Sequence, residues 1–311
     1  MEAIQQIADS VTAFILGHKL NFGLFTGLVV GELILLRMIK RAWWNSELAP
    51  NIISSIIGIS IDILIGTSIV FVFLYIYEHY RLFTVPMSLL GIAYVFFVVE
   101  FVGFLQHWAY HKVGILWALH SVHHSGTEMN IAVATRSLWG LSLLLPMQMI
   151  LVPLLGASLA HLGVFLVFRI IYAYTLHTDA IPRLGWLDGI INTPSNHRVH
   201  HGRQVKYLDR NYSNGILLFD RFFGTYQREE EVPDYGLVEQ VGSRNPLVFQ
   251  TAGLRDLFRK VAAAPNLRSK IGYLIMPPGW SHDGNHRTAE AMRAREREAG
   301  ELAASPSQAV G

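Results

Sequence analysis

Long apolar runs, more than any single motif, limit the folds open to this chain. Four or five of them, at about 22–39, 52–77, 87–105, 138–155 and 159–176, have roughly the 17–25 residues that a helix needs to cross a bilayer core. A helix on the surface of a soluble protein keeps a polar face, and these runs keep none. Apolar residues make up 51% of the chain and charged residues 15%, too little charge to cover a soluble protein of this size. The expected fold is therefore all-α: a polytopic membrane helical bundle of about four to five spans with a cytoplasmic histidine-rich helical cap. Residues 1–228 form the membrane-embedded domain in this reading and 229–280 a cytoplasmic C-terminal extension. Within the extension, Leu254, Leu257, Phe258 and Val261 mark a short amphipathic docking helix. Residues 281–311, rich in Arg, Glu and Ala, read as a charged helix and a disordered tail.

Orientation follows from basic residues. Arg37, Lys40 and Arg41 flank the first run and place that end in the cytoplasm. The second run then exits, and the third returns at Gln106 and delivers His107. The fourth and fifth, joined by Gly156-Ala157-Ser158, go out and back to His177. Every histidine of interest lands on one face. Glu2 and Asp9 stand ahead of the first run where a secretory leader carries basic residues, so no cleavable leader is expected.

Several functions are excluded at once. The net charge is +2 with no Lys/Arg-rich block, so nucleic acid is not an expected partner. There is no cysteine, hence no disulfide, thiolate metal site, thiolate-ligated haem or cysteine-held cluster. No dinucleotide fingerprint, P-loop or fused haem-binding domain is present, so any electrons must come from outside the chain.

The histidines carry the chemistry. His107 and His111 stand four residues apart, on one face of a helix. His120, His123 and His124 have the spacing i, i+3, i+4, and His197, His200 and His201 repeat it. Neutral imidazole suits iron, zinc and copper. Eight imidazoles near one plane exceed the three or four ligands that one metal takes from a protein, so two metals fit better, with His177 as a ninth ligand. His18, His79 and His161 lack partners and read as structural. His282 and His286 are separated by the helix breaker Gly284 and read as solvated.

These clusters resemble the fatty acid hydroxylase and sterol desaturase superfamily, membrane di-iron enzymes, over about 95–227. The stretches HSVHHSGTEMN (120–130), LHTD (176–179), IINTPSNHRVHHGR (190–203), DRNYSN (209–214) and FDRFFGTYQ (219–227) are most similar to its alkylglycerol monooxygenase branch. The resemblance implies two Fe ions, a lipid substrate, O2, and hydroxylation of a lipid C–H bond. The branch implies a glyceryl ether as substrate and tetrahydrobiopterin as external reductant; a redox protein is the alternative donor. A sterol, carotenoid or fatty-acyl desaturase or hydroxylase of the same superfamily is the nearest rival, and a membrane metal-binding or transport protein the rival outside enzymes. The implied location is a bacterial inner membrane or endoplasmic reticulum, with the active site facing the cytoplasm.

The family's third cluster usually opens with two histidines, whereas Asn196 precedes His197 here. Asn196 is thus a candidate catalytic residue, holding a metal-bound water or bonding to a ligand. Glu128, carried over from the family's acidic position, is the second. Glu128 and Asp179 are also the candidates to fix imidazole tautomers. Asp209, Asn211 and Asp220 can orient the third cluster, although Asp209 and Asp220 read better as turn caps. Glu32, Asp62 and Glu100 lie inside apolar runs, where charge is costly.

Overall fold

The computed structural model describes residues 23–35, 37–38, 47–140 and 146–304. These residues are helical apart from loops and two isolated bridge pairs, Ile191–Ile216 and Gly202–Tyr235, with no strand among them. His18, Lys40, Arg41 and the last seven residues lie outside the described residues.

Helices α1 (Gly23–Leu35), α2 (Leu48–Tyr80) and α3 (Leu89–Lys112) follow the first three apolar runs. Ser88 starts α3 by accepting a hydrogen bond from the Gly91 amide at 3.2 Å. One face of α3 packs Val95, Val98, Val99 and Val102 against Phe73 of α2 and Val152 further along the chain. The other face is just as apolar, yet Leu90, Tyr94, Phe97 and Phe101 on it are exposed. Water is a poor solvent for such a face and lipid a good one. By length and composition α3 is able to cross a membrane.

Among its described residues the fourth apolar run forms the nine-residue α5 (Pro146–Leu154), about 14 Å long at 1.5 Å per residue. Residues Met147–Leu154 and Leu159–Phe165, the latter in α6 (Leu159–Thr175), are bent against each other by 115°. Upstream of α5, Trp139 is tied down by its indole, which donates to Ser54 of α2, and by its amide, which donates to Gln250. The bend itself has a local cause. Gly156 takes φ +84°, where an added Cβ would stand 2.5 Å from the Phe83 carbonyl. The bend is stapled to the α2–α3 turn by Leu82 N–H to Leu154 O, Val85 N–H to Gly156 O, and His161 Nε2 to Pro86 O. His161 also closes the capping box of α6 with Ser158. From this bend α6 runs back to His177, at the end of α3 that carries His107.

The cap consists of α4 (Gly114–His124), the 3₁₀ turns Ile131–Thr135 and Gly185–Gly189, α7 (Pro194–His200) and α8 (Leu218–Phe222). Helices α9 (Pro246–Ala263) and α10 (Leu267–Ile275) pack on α4. The amphipathic stretch of the extension lies in α9, with Leu257 buried and Phe258 exposed. Gly253 permits this approach, since a Cβ there would stand 2.4 Å from the Ala118 carbonyl. The charged stretch forms α11 (Ala289–Ala304), and Arg293 anchors it by donating to the Leu208 carbonyl at 2.8 Å.

If α3 crosses the membrane, its two ends label from opposite sides. The chain has no native cysteine, so single variants Thr84→Cys and Glu230→Cys, both exposed, report cleanly. In sealed vesicles an impermeant maleimide is expected to reach one position from outside and the other only after permeabilisation. Labelling of both from the same side would remove α3 as a span.

Candidate metal centre

The nine histidines singled out by spacing come together in two groups. His107, His111, His120, His124 and His200 form the first, and His123, His177, His197 and His201 the second; within each, the ligand atoms all lie within 4.8 Å of one another. The two groups adjoin, with the His124 and His201 rings stacked at 4.4 Å. Neither HxxHH motif belongs to one group. On α4, His120 and His124 face the first and His123 the second; at α7, His197 and His201 face the second and His200 the first.

The outer nitrogens explain why the inner ones converge. Nδ1–H donates to the Tyr212 carbonyl from His107 (2.8 Å), to Arg136 O from His123 (3.2 Å), to Ala173 O from His177 (2.9 Å) and to Arg210 O from His200 (2.8 Å). A carbonyl only accepts, so each bond fixes the tautomer and leaves Nε2 as a bare lone pair. The Nε2 atoms face each other: His107–His120 and His120–His124 at 3.2 Å, His123–His177 at 3.3 Å, His177–His197 at 2.8 Å and His197–His201 at 3.1 Å. Nitrogens held about 2.1 Å from a common ion stand about 3.0 Å apart in an octahedron and about 3.4 Å in a tetrahedron. The observed spacings match such edges.

Burial pushes His120, His123, His124, His197, His200 and His201 well below the ordinary imidazole value, and neighbouring imidazoles push further. Burial also lowers His177, to about 4. Neutral rings with inward lone pairs are what a metal requires. The donor set is imidazole throughout and fits two ions of the iron, zinc or copper type.

Acidic residues hold the elements that carry the histidines. Glu32 of α1 accepts from the Ile131 amide at 2.8 Å and from the Thr178 hydroxyl, next to His177. Glu100 of α3 accepts from the Gly215 and Ile216 amides at 2.7 and 3.1 Å. Asp209 does more than cap a turn. It lies 3.4 Å from His111 Nδ1 and 2.7 Å from Lys112 Nζ; burial alone would raise its pKa, but these partners hold it below the ordinary carboxylate value. Its φ of +55° is a conformation that Asp tolerates better than most residues. Asp220 is a cap, accepting from the Tyr212 and Ser213 amides at 2.8 Å, and so sets the Tyr212 carbonyl that receives His107. Asn211 joins two turns, donating to Asn196 O and Gln227 O.

Neither candidate catalytic side chain belongs to a histidine group. The Asn196 amide donates to Asp188 O at 2.9 Å and Ile191 O at 3.1 Å, which ties α7 to the preceding 3₁₀ turn. Glu128 accepts from the Glu47 amide at 3.4 Å. Asp179 accepts from the Tyr235 hydroxyl at 2.6 Å, while His177 uses a backbone carbonyl instead. Spacing gave no hint of Arg136. Its guanidinium is buried, bonds to Ser125 and Asn51, lies 3.4 Å from Glu47 and stacks 3.9 Å above Phe249. Its carbonyl receives His123. Only a lone charge just after a ligand cluster could have drawn attention to it.

Residues 92–225 match the fatty acid hydroxylase family model, and the chain carries a domain of that family. More particularly, it is similar to alkylglycerol monooxygenases. It is 33% identical to the Homo sapiens protein over 216 residues, 67% of this chain and 47% of that one. It is 30% identical to the Caenorhabditis elegans protein over 230 residues, 68% and 44% of the two chains. A shorter match, 29% over 134 residues, links it to the ornithine lipid hydroxylase OlsE of Rhizobium tropici, covering 42% of this chain and 39% of that one. The chain spans about half the length of the alkylglycerol monooxygenases it matches. No solved structure matches it.

Two outcomes follow from the split and its supports. Neighbouring substitutions His123→Ala and His124→Ala remove ligands from different groups, so each is expected to retain about one of two metals by elemental analysis. Loss of both metals from both variants would show a single indivisible site. Asp209→Asn is expected to keep the fold and weaken metal affinity about 10- to 100-fold, read by competition with a chelator. An unchanged affinity would reduce Asp209 to a surface ion pair.

Proposed function

We propose that this chain is a multi-pass membrane di-iron monooxygenase that hydroxylates a lipid C–H bond, with the ether-linked carbon of a glyceryl ether as its target. It resides in a bacterial inner membrane or endoplasmic reticulum with the histidine cap facing the cytoplasm. The observation that carries the reading is the pair of adjoining, all-imidazole groups at the end of an apolar helix. A transporter would set polar ligands along its spans; here they cluster at span ends. The similarity to alkylglycerol monooxygenases supports the choice of substrate, and that to a lipid hydroxylase supports the wider class.

The reaction balances as R–H + O2 + 2 electrons + 2 H⁺ giving R–OH + H2O. At an ether carbon the product is a hemiacetal, which collapses to an aldehyde and an alcohol. Iron, when bound, supplies the activation of O2 that no side chain provides. The protein orients His107, His123, His177 and His200 by Nδ1–H bonds to backbone carbonyls and positions the lipid. His111, His124, His177, His197, His200 and His201 are all buried. Phe104, packed against Tyr212 and Phe219, builds an aromatic wall between His107 and the exposed face of α3. Nine histidines serve as ligands in this reading, and Glu128 and Asn196 hold the loops around them. Tetrahydrobiopterin is the proposed reductant.

Purified protein is expected to contain about two irons and to consume O2 when given a 1-O-alkylglycerol and tetrahydrobiopterin. A fatty aldehyde labelled from ¹⁸O2 is the expected product. Iron-loaded protein that oxidises no ether, sterol or acyl lipid with any reductant would reject the reading.

A further inference from the structure

A cavity of about 800 Å³ opens beside the histidine groups, between α4, α9, α10 and the loops 236–241 and 278–287. His111, His124 and His200 of the first group and His201 of the second form part of its wall. The Nε2 atoms of His111 and His200 are buried and make no hydrogen bond. Trp117 lines the cavity next to them, its ring 5.0 Å from His111 and 5.4 Å from His124, and Trp280 lines it further along.

Apolar side chains such as Leu208, Leu237, Val248 and Leu257 line its walls, and charged side chains stand among them. Arg259 and Lys260 share Asp256, and Arg287 pairs with Glu239 across the two loops. These side chains are 39% to 77% exposed, so the mouth opens to water. Among the described residues, α1, α2, α5 and α6 contribute nothing to this wall, and α3 contributes only His111. A lipid tail would have to leave the bilayer and pass a ring of ion pairs to use it. The volume suits a small molecule and is too small to admit a protein.

Hydroxylation needs two electrons per turnover, and the chain holds no cysteine and no dinucleotide fingerprint. We propose that this cavity is the binding site of the reductant, a small, water-soluble, two-electron-donating aromatic heterocycle seated against Trp117 and Trp280. The inference rests on the monooxygenase reading above and assigns the place where its electrons arrive. Written in full, R–H + O2 + AH2 gives R–OH + H2O + A. The donor loses two electrons and two protons, the O–O bond breaks, one oxygen forms the new C–O bond and the other leaves as water. Lipid and reductant thus reach the histidines by separate routes.

The test uses full-length iron-loaded protein without O2 and 6-methyltetrahydropterin as the probe. Titration is expected to quench tryptophan emission, with the quench reduced in Trp117→Phe or Trp280→Phe. The probe is also expected to slow hydrogen exchange in 236–241 and 278–287 of the unmodified protein. Ala252→Phe and Val248→Phe, which fill the cavity from α9 without touching a histidine, should weaken probe binding at least tenfold. They should raise the reductant KM by a similar factor and leave iron content and lipid KM unchanged. Unchanged probe binding in both variants, or an absence of exchange protection, would overturn the proposal. So would a rise in lipid KM with probe affinity intact, which would give the cavity to the lipid headgroup. Binding is measured without turnover, so probe bound normally by a protein that oxidises no lipid would sink the monooxygenase reading and spare the site.

Discussion

The cap is built around one electrostatic constraint: two adjoining groups of imidazoles whose ring nitrogens face one another within 4.8 Å. Clustered imidazoles left to themselves would rotate to hydrogen-bond one another or take up protons. Burial disfavours the protonated form, and four Nδ1–H to carbonyl bonds remove the rotational freedom. The carbonyls belong to Ala173, Arg136, Arg210 and Tyr212, which sit at the end of a helix or in loops where a C=O is free of helical bonding. The ligand set therefore depends on loop geometry as much as on the histidines.

Loop geometry in turn depends on charges placed where they are expensive. Glu32 and Glu100 lie in apolar helices, and each accepts backbone N–H bonds from a loop bearing a ligand or its support. Arg136 lies buried among Ser125, Asn51 and Glu47. Removing one partner of a buried ion pair costs about 3–5 kcal/mol because the other is left uncompensated. Such a group specifies one position of its loop, since every alternative leaves a charge stranded. Rigid ends on apolar helices let the cap hold its ligands without a disulfide.

Eight of the histidines were legible from spacing, because i, i+3 and i+4 lie on neighbouring parts of a helix surface, and His177 from its place at the end of an apolar run. All-helical structure was legible too, from apolar runs too long and too uniform for strands. The turn at Gly156-Ala157-Ser158 was legible as well, but its angle was not: hydropathy is blind to direction, and the packing against the α2–α3 turn sets how far the two runs bend. Asp209 looked like a turn residue and is one, but its contacts with His111 and Lys112 span about a hundred positions of sequence. The partners of Arg136 on α2 are 85 or more residues away. Contacts of that kind leave no local pattern. The carbonyls that fix the tautomers leave none either, because every residue has one.

Helical geometry explains how so few elements supply two groups of imidazoles. Residues advance by about 100° in a helix, so i and i+4 differ by about 40° while i+3 lies about 100° from i+4. An HxxHH motif thus offers two imidazoles in one direction and a third nearly at right angles. When α4 and α7 meet, each gives its pair to one group and its single residue to the other, in opposite senses. Two such motifs alone would yield three ligands per group. The i, i+4 pair His107 and His111 on α3 raises the first group to five, and the lone His177 raises the second to four. The asymmetry comes from these added residues, not from the repeated motif.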